Sequence, residues 1–201
     1  MDSLLPSLTL PVGESASLDP VSLMPGAQKV TLEIGFGGGE HLAAQAAAAA
    51  DGLFLGAEPF LNGVASALRH IDQQGLKNVR LHAGDVREVT STLKDASIDQ
   101  VFILFPDPWP KARHHKRRLM QGPFAAELAR LLKKGGRLRF ATDWADYADH
   151  ALAVLRAEPA FDWTAKRADD WRRPPLDHFA TRYQEKRLGD IEPVYLDFIR
   201  T

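Results

Sequence analysis

Cysteine is missing from the chain altogether, so disulfides and thiolate metal sites are excluded. The seven histidines form no HExxH pair that would replace them. No apolar run approaches the ~20 residues that a membrane-spanning helix needs, and the N-terminus lacks the basic n-region of a secretory leader. Its first 28 residues hold Asp2, Glu14 and Asp19 and not one Lys or Arg. A net charge of −1 rules out a generally sticky polycation. These absences lead to the expectation of a soluble, cytoplasmic protein with no metal and no membrane partner. Monomer and homodimer remain equally open.

What is present suits one α/β domain. With 201 residues, 45% of them hydrophobic, the chain can bury a sizeable core. Residues 1–28 carry four prolines and no periodicity and read as an irregular lead-in; residues 29–201 read as a single domain. Short apolar runs at 29–34, 53–57, 79–83, 99–105, 136–141 and 194–200 alternate with amphipathic stretches at 39–50, 60–73, 86–93, 118–133 and 144–157. That alternation predicts βαβ units and a parallel sheet. The stretch 158–193 has no clear period.

Charge is placed unevenly. From Lys111 to Arg139 there are ten Lys or Arg against one acid, Glu127. The patch begins inside FPDPWPKARHHKRR, residues 105–118, where Asp107 stands between two prolines. Flanking prolines restrict the backbone on both sides of that carboxylate and stiffen it. A local cationic patch on a near-neutral chain suits a polyanion that docks in one orientation. Read alone, the patch is a solvated face and Asp107 a turn former.

The first apolar run leads into LEIGFGGGEHL. Glycines 35, 37, 38 and 39 permit a tight turn and close ligand approach. The dinucleotide fingerprint needs glycine at position 40, where Glu40 stands, and Glu33 adds an acid inside the strand. That combination favours a ligand with a cation and no phosphate. Glu58 at the end of the second strand suits ribose hydroxyls, and Asp85 at the end of the third suits an adenine amine; helix capping is the alternative for each.

Together LEIGFGGGEHL, GAEPFLNGV, HAGDV, FPDPWPKARHHKRRL, ATDWADYA and TRYQEKRLG resemble the bacterial tRNA (guanine-N7-)-methyltransferase family over roughly residues 29–200. The resemblance implies a class I S-adenosylmethionine-dependent methyltransferase fold, Rossmann-like, with a seven-stranded mostly parallel sheet and helices on both faces. It implies S-adenosylmethionine as cofactor, tRNA as partner and N7 of the variable-loop guanine (position 46) as methyl acceptor. Carried over by position, Glu33, Gly35, Gly37, Glu58, Asp85 and Asp107 would hold the cofactor, with Asp107 also catalytic. Lys111, Asp143, Thr181, Arg182, Tyr183 and Gln184 would face the guanine, and Arg113, Lys116, Arg117 and Arg118 the tRNA backbone. The family's late motif commonly reads T-x-[FY]-E; here Gln184 takes the acidic place and Glu185 follows. Many members also have a basic N-terminal arm, where this chain has no cation. Two rival readings stay open: the same cofactor used on another substrate, and a non-catalytic RNA-binding module built on this shell.

Overall fold

A computed structural model describes residues 8–13, 17–180, 182–186 and 188–201, with Arg182 and Glu185 described in backbone only. Seven strands form one sheet: β1 (Lys29–Ile34), β2 (Gly52–Ala57), β3 (Val79–His82), β4 (Ile98–Leu104), β5 (Leu132–Thr142), β6 (Phe161–Trp163) and β7 (Val194–Arg200). Their spatial order is β3-β2-β1-β4-β5-β7-β6. The first five pair in parallel, and β7 lies antiparallel between β5 and β6. The helices are α1 (Glu40–Ala48), α2 (Leu61–Gln74), α3 (Val86–Thr92), α4 (Gly122–Leu131), α5 (Ala145–Ala157), α6 (Asp169–Arg172) and α7 (Arg182–Lys186).

Strand side chains alternate between faces, so each face builds its own core. On one face Leu32, Leu55, Val101, Ile103, Leu138 and Phe198 pack against α3, α4 and α5. On the other, Phe54, Val79 and Leu81 meet Leu42 and Ala46 of α1 and Val64, Leu68 and Ile71 of α2. The β4–β5–β7 end of this second face bears only a small cluster, Phe102, Leu104, Phe105, Ala141 and Tyr195, with Tyr183 against it. Polar side chains complete that layer. Arg139 of β5, 5% exposed, is paired with Asp197 of β7 across the register and with Asp177, whose Oδ1 lies 2.8 Å from it. Burial disfavours the Arg139 charge, yet the two carboxylates outweigh it and raise its pKa.

The stretch 158–193 is therefore only partly irregular. It supplies β6, too short at three residues to show a period, and the two brief helices α6 and α7. The expected helix 118–133 is shorter, at Gly122–Leu131. A 3₁₀ turn occupies Ala112–Arg117, Pro123 sits in the first turn of α4, and Leu132 already pairs with Ile98. In the lead-in, Leu8 and Leu10 are buried, and the Leu10 N–H donates to the Leu81 carbonyl at 2.8 Å. Thr9 bridges Leu81, which covers part of the β3 edge. Asp19 accepts from Val21 N–H and pairs with Lys94. Among the described residues, no helix is long and apolar enough to cross a membrane.

Candidate active site

The chain leaves β1 toward β2 on one side, while β4 is followed by β5 on the other. The crevice at the carboxyl ends between β1 and β4 is where open α/β sheets bind ligands. A cavity of about 300–1,000 Å³ is typical of ligand sites; here one of ≈ 700 Å³ opens at that place. Glu33, Gly35, Gly37, Glu58, Asp85, Asp107, Arg117 and Tyr183 all line it. Six of these are the cofactor-site residues expected from sequence, brought together from four strand ends.

Each acid is held differently. Glu33 is 3% exposed, and its Oε2 accepts from His41 Nδ1 at 2.7 Å. A carboxylate only accepts, so His41 carries its proton on Nδ1, and Nε2 is left to accept from Gln45 at 3.3 Å. Glu58 is also buried and accepts from two backbone N–H groups, Gly37 at 2.9 Å and Phe60 at 2.9 Å. It organises the glycine loop rather than capping α2, whose N-cap is Phe60. Asp85 does cap α3: Oδ1 accepts from Arg87 N–H at 2.9 Å while Oδ2 pairs with the Arg87 guanidinium. The capping alternative is thus realised for Asp85, which also faces the cavity.

The glycine loop is shaped for close approach. Gly35 and Gly37 have φ of +71° and +54°, and a Cβ on either would meet nothing within 4 Å. The space above them is open to a ligand. Gly37 N–H is already taken by Glu58, so that donor is not offered to a phosphate. Buried acids, a spent loop donor and open glycines fit S-adenosylmethionine, which carries an ammonium and a sulfonium and no phosphate. Sequence reasoning missed Gly63, which sits in the first turn of α2. A Cβ there would lie 2.3 Å from the Gly37 carbonyl oxygen. Gly63→Ala is expected to displace the loop and weaken cofactor binding several-fold, since overpacking costs about 1–3 kcal/mol. Titration calorimetry of the folded variant checks this; wild-type affinity would show the loop to be pliant.

The turn after β4 carries the least supported carboxylate. Asp107 is exposed, and among the described residues it has no hydrogen bond and no ion pair. The turn is bracketed by two non-glycine residues at positive φ, Phe105 at 52° and Trp109 at 43°. Such conformations cost about 1–3 kcal/mol each and persist only where the surroundings impose them. Phe105 is buried and stacks on Tyr183 at 5.6 Å. Trp109 is covered on its face by the Arg117 guanidinium, 4.9 Å away, and met at its edge by His114.

The cationic stretch divides in space. Lys111, Arg113, Lys116 and Arg117 are exposed and have no acid partner among the described residues, and of the four Arg117 lines the cavity. Arg118 corrects the sequence expectation of a backbone-phosphate contact. It is 2% exposed, its Nε donates to the Pro108 carbonyl, and its guanidinium is ion-paired with Asp146 over the Tyr147 ring. The pairing holds Asp146 below the usual carboxylate range. Arg130 is spent on Glu127, Asp95 and two carbonyls, and Lys133 on Asp99. Lys134 and Arg137 lie near the start of β5, at the end of the strands opposite the cavity.

A second hollow of ≈ 500 Å³ is lined by Asp143, Gln184, Gly189 and Tyr195 among others. Asp143 is 3% exposed; Oδ2 accepts from Gly189 N–H at 3.0 Å, and Oδ1 is buried with no hydrogen-bond partner among the described residues. Burial raises its pKa, the Gly189 bond opposes that, and the nearby Asp190 adds to it. Gln184 accepts from His178 at 2.8 Å and donates to the Tyr195 hydroxyl at 2.6 Å, so it braces the wall. Tyr183, its neighbour, faces the first cavity instead. Thr181 lies outside the described residues, as do the side chains of Arg182 and Glu185.

Comparison with known proteins yields one consistent group. A family described as "Putative methyltransferase" matches residues 27–195. A tRNA (guanine-N(7)-)-methyltransferase of Caulobacter sp. (strain K31) is 58% identical over 200 residues, covering 100% of this chain and 87% of the relative. Its counterpart in Rhodospirillum rubrum is 47% identical over 205 residues, covering 100% and 80%. Among solved structures, a mutant 16S rRNA (adenine(1408)-N(1))-methyltransferase with cosubstrate SAM from Catenulisporales acidiphilia superposes with a TM-score of 0.64 at 16% identity, covering 96% of this chain and 97% of that one. An rRNA methylase from Streptococcus thermophilus gives 0.59 at 12% identity, with 87% of both chains covered. These two share the fold.

Proposed function

From a chain that belongs to the bacterial tRNA (guanine-N(7)-)-methyltransferase family, we infer the reaction at its site: methyl transfer from S-adenosylmethionine to N7 of a guanine in tRNA. The observation that carries the reading is an unpaired carboxylate, Asp107, facing a cavity whose other walls are an open glycine loop and two buried acids. When bound, the cofactor supplies a sulfonium methyl already activated for displacement.

Glu33 and Gly35–Gly37 would hold the amino-acid end, Glu58 the ribose, and Asp85 the adenine side. Guanine N7 has an in-plane lone pair and no proton, so no general base is needed and alignment dominates. The base becomes cationic as N7 is alkylated. Asp107, stiffened by its prolines and left unpaired, offers a fixed negative charge to that developing cation. Phe105 and Tyr183 form an aromatic wall beside it. The unpartnered Oδ1 of Asp143 supports a role in accepting from the guanine edge within the second hollow. That the guanine-facing expectations Lys111, Asp143, Thr181, Arg182, Tyr183 and Gln184 meet the base in the variable loop belongs to the same proposal, as does a cytoplasmic setting.

Arg117 at the wall of the first cavity, and Lys111, Arg113 and Lys116 exposed in the same stretch, suit the phosphates of tRNA. They attract the backbone at the rim while the acids stay inside. Incubation with labelled S-adenosylmethionine and bulk tRNA, followed by mapping of the modified base, tests the assignment. Label at guanine N7 is expected; label elsewhere, or none, overturns it. For the cofactor, Glu58→Ala is expected to lose about tenfold in affinity, because the mutation frees Gly37 and Phe60 N–H groups as well as the ribose position. Calorimetry measures it, with NAD as a control expected not to bind. Equal affinity for NAD would overturn the cofactor assignment.

A further inference from the structure

Residues Pro106 to Pro110 are locally stiff but have few backbone donors with which to fasten the turn to its surroundings. Three of the five are prolines and lack an N–H. Among the described residues, the only hydrogen bond reaching any of the five is the one that Arg118 Nε donates to the Pro108 carbonyl, at 2.9 Å. The turn carrying Asp107 therefore has one polar anchor, on the residue that follows the carboxylate. The turn is bracketed at both ends by positive φ at Phe105 and Trp109, which a free loop would not keep.

The anchor is itself fixed. Arg118 is 2% exposed, far more enclosed than the other cations of its run. Its terminal nitrogens meet the Asp146 carboxylate and the Asp146 carbonyl at the first turn of α5, and its plane lies 4.9 Å over the buried Tyr147 ring. The Gln121 amide donates to the Arg118 carbonyl at 3.4 Å and to the His115 carbonyl at 3.0 Å, holding its backbone. A rigid helix thus reaches the loop through a single planar side chain.

We propose that Arg118 is a positioning residue for methyl transfer, tying the Pro106–Pro110 turn to α5 so that Asp107 keeps its place at the cavity. This rests on the reading of Asp107 given above. The guanidinium matters here for its shape. Nε points one way and the terminal nitrogens another, a fork that a lysine ammonium does not reproduce. Charge alone would be kept by lysine.

The test is Arg118→Lys beside Arg118→Met and Asp107→Asn, with steady-state kinetics on tRNA over a salt series and a melting curve for each. Both Arg118 variants are expected to lose at least about tenfold in kcat, since small misplacements near a reacting centre are costly. Their KM for tRNA and its salt dependence are expected to stay at wild-type values. If Arg118→Met does not fold, Arg118→Lys, which changes only the fork, decides. Wild-type kcat in Arg118→Lys beside a slow Asp107→Asn overturns the inference alone. A raised KM and flatter salt slope in Arg118→Met, restored by lysine, likewise overturns it in favour of a phosphate contact. A normal Asp107→Asn overturns the reading of Asp107, and the inference with it.

Discussion

Asp107→Asn is expected to fold normally and to lose about 10²–10³-fold in turnover on tRNA, the usual effect of removing one well-placed electrostatic partner. The amide keeps the shape of the side chain and one acceptor oxygen. Asp107 has no ion pair among the described residues, so its charge supports nothing else in the fold. Stability should change by no more than about 0.5 kcal/mol, as for surface substitutions generally. What disappears is the negative charge facing a base that becomes cationic. Because N7 carries no proton, the wild-type kcat should show no ascending limb from a general base near neutral pH. Single-turnover kinetics at saturating cofactor and tRNA, run across pH, check both statements. Near-normal turnover in the amide variant would make the carboxylate structural, and the turn a scaffold for Trp109 and Lys111.

Replacing Lys111, Arg113 and Lys116 together by Gln is expected to weaken tRNA binding by about 10²-fold near physiological salt. Each phosphate contact contributes roughly 0.7 log units there, from a slope of about 0.9 per neutralised phosphate on duplex. The log–log salt slope should fall by as much as about 2.7 for three contacts on the same basis. Cofactor affinity should not move, since none of the three lines the ≈ 700 Å³ cavity proposed to hold the cofactor. Arg117 is left in place because it also covers Trp109. Arg118 is left because it is internal. Filter binding over a salt series measures the effect; an unchanged slope would mean that the strip is only solvated.

Much of the architecture was legible because strand and helix periods are local. β1 and β7 have the expected bounds, and the other four expected strands differ at their ends. The largest difference is β5, which begins at Leu132 instead of Gly136, because pairing with Ile98 recruits residues whose own pattern is mixed. β6 was not legible. Three residues carry no period, and this strand exists because β7 offers it an edge.

The site shows the same division. Composition, glycine spacing and the proline-bounded Asp107 determine that this chain is an α/β protein with a close-approach loop, strand-end acids and a stiff carboxylate beside cations. These are properties of residue type and neighbour spacing, which a linear pattern holds in full. Tertiary structure alone decided how the cations are shared out. In the sequence Arg117 and Arg118 are adjacent and chemically identical, yet one is exposed over Trp109 and the other is enclosed against Asp146, 28 positions away. Likewise Arg139 found Asp177 and Asp197, 38 and 58 positions away, through packing of segments distant along the chain. A buried charge must find its partner wherever the fold places one, and that choice is made across the sheet, where sequence spacing carries no distance.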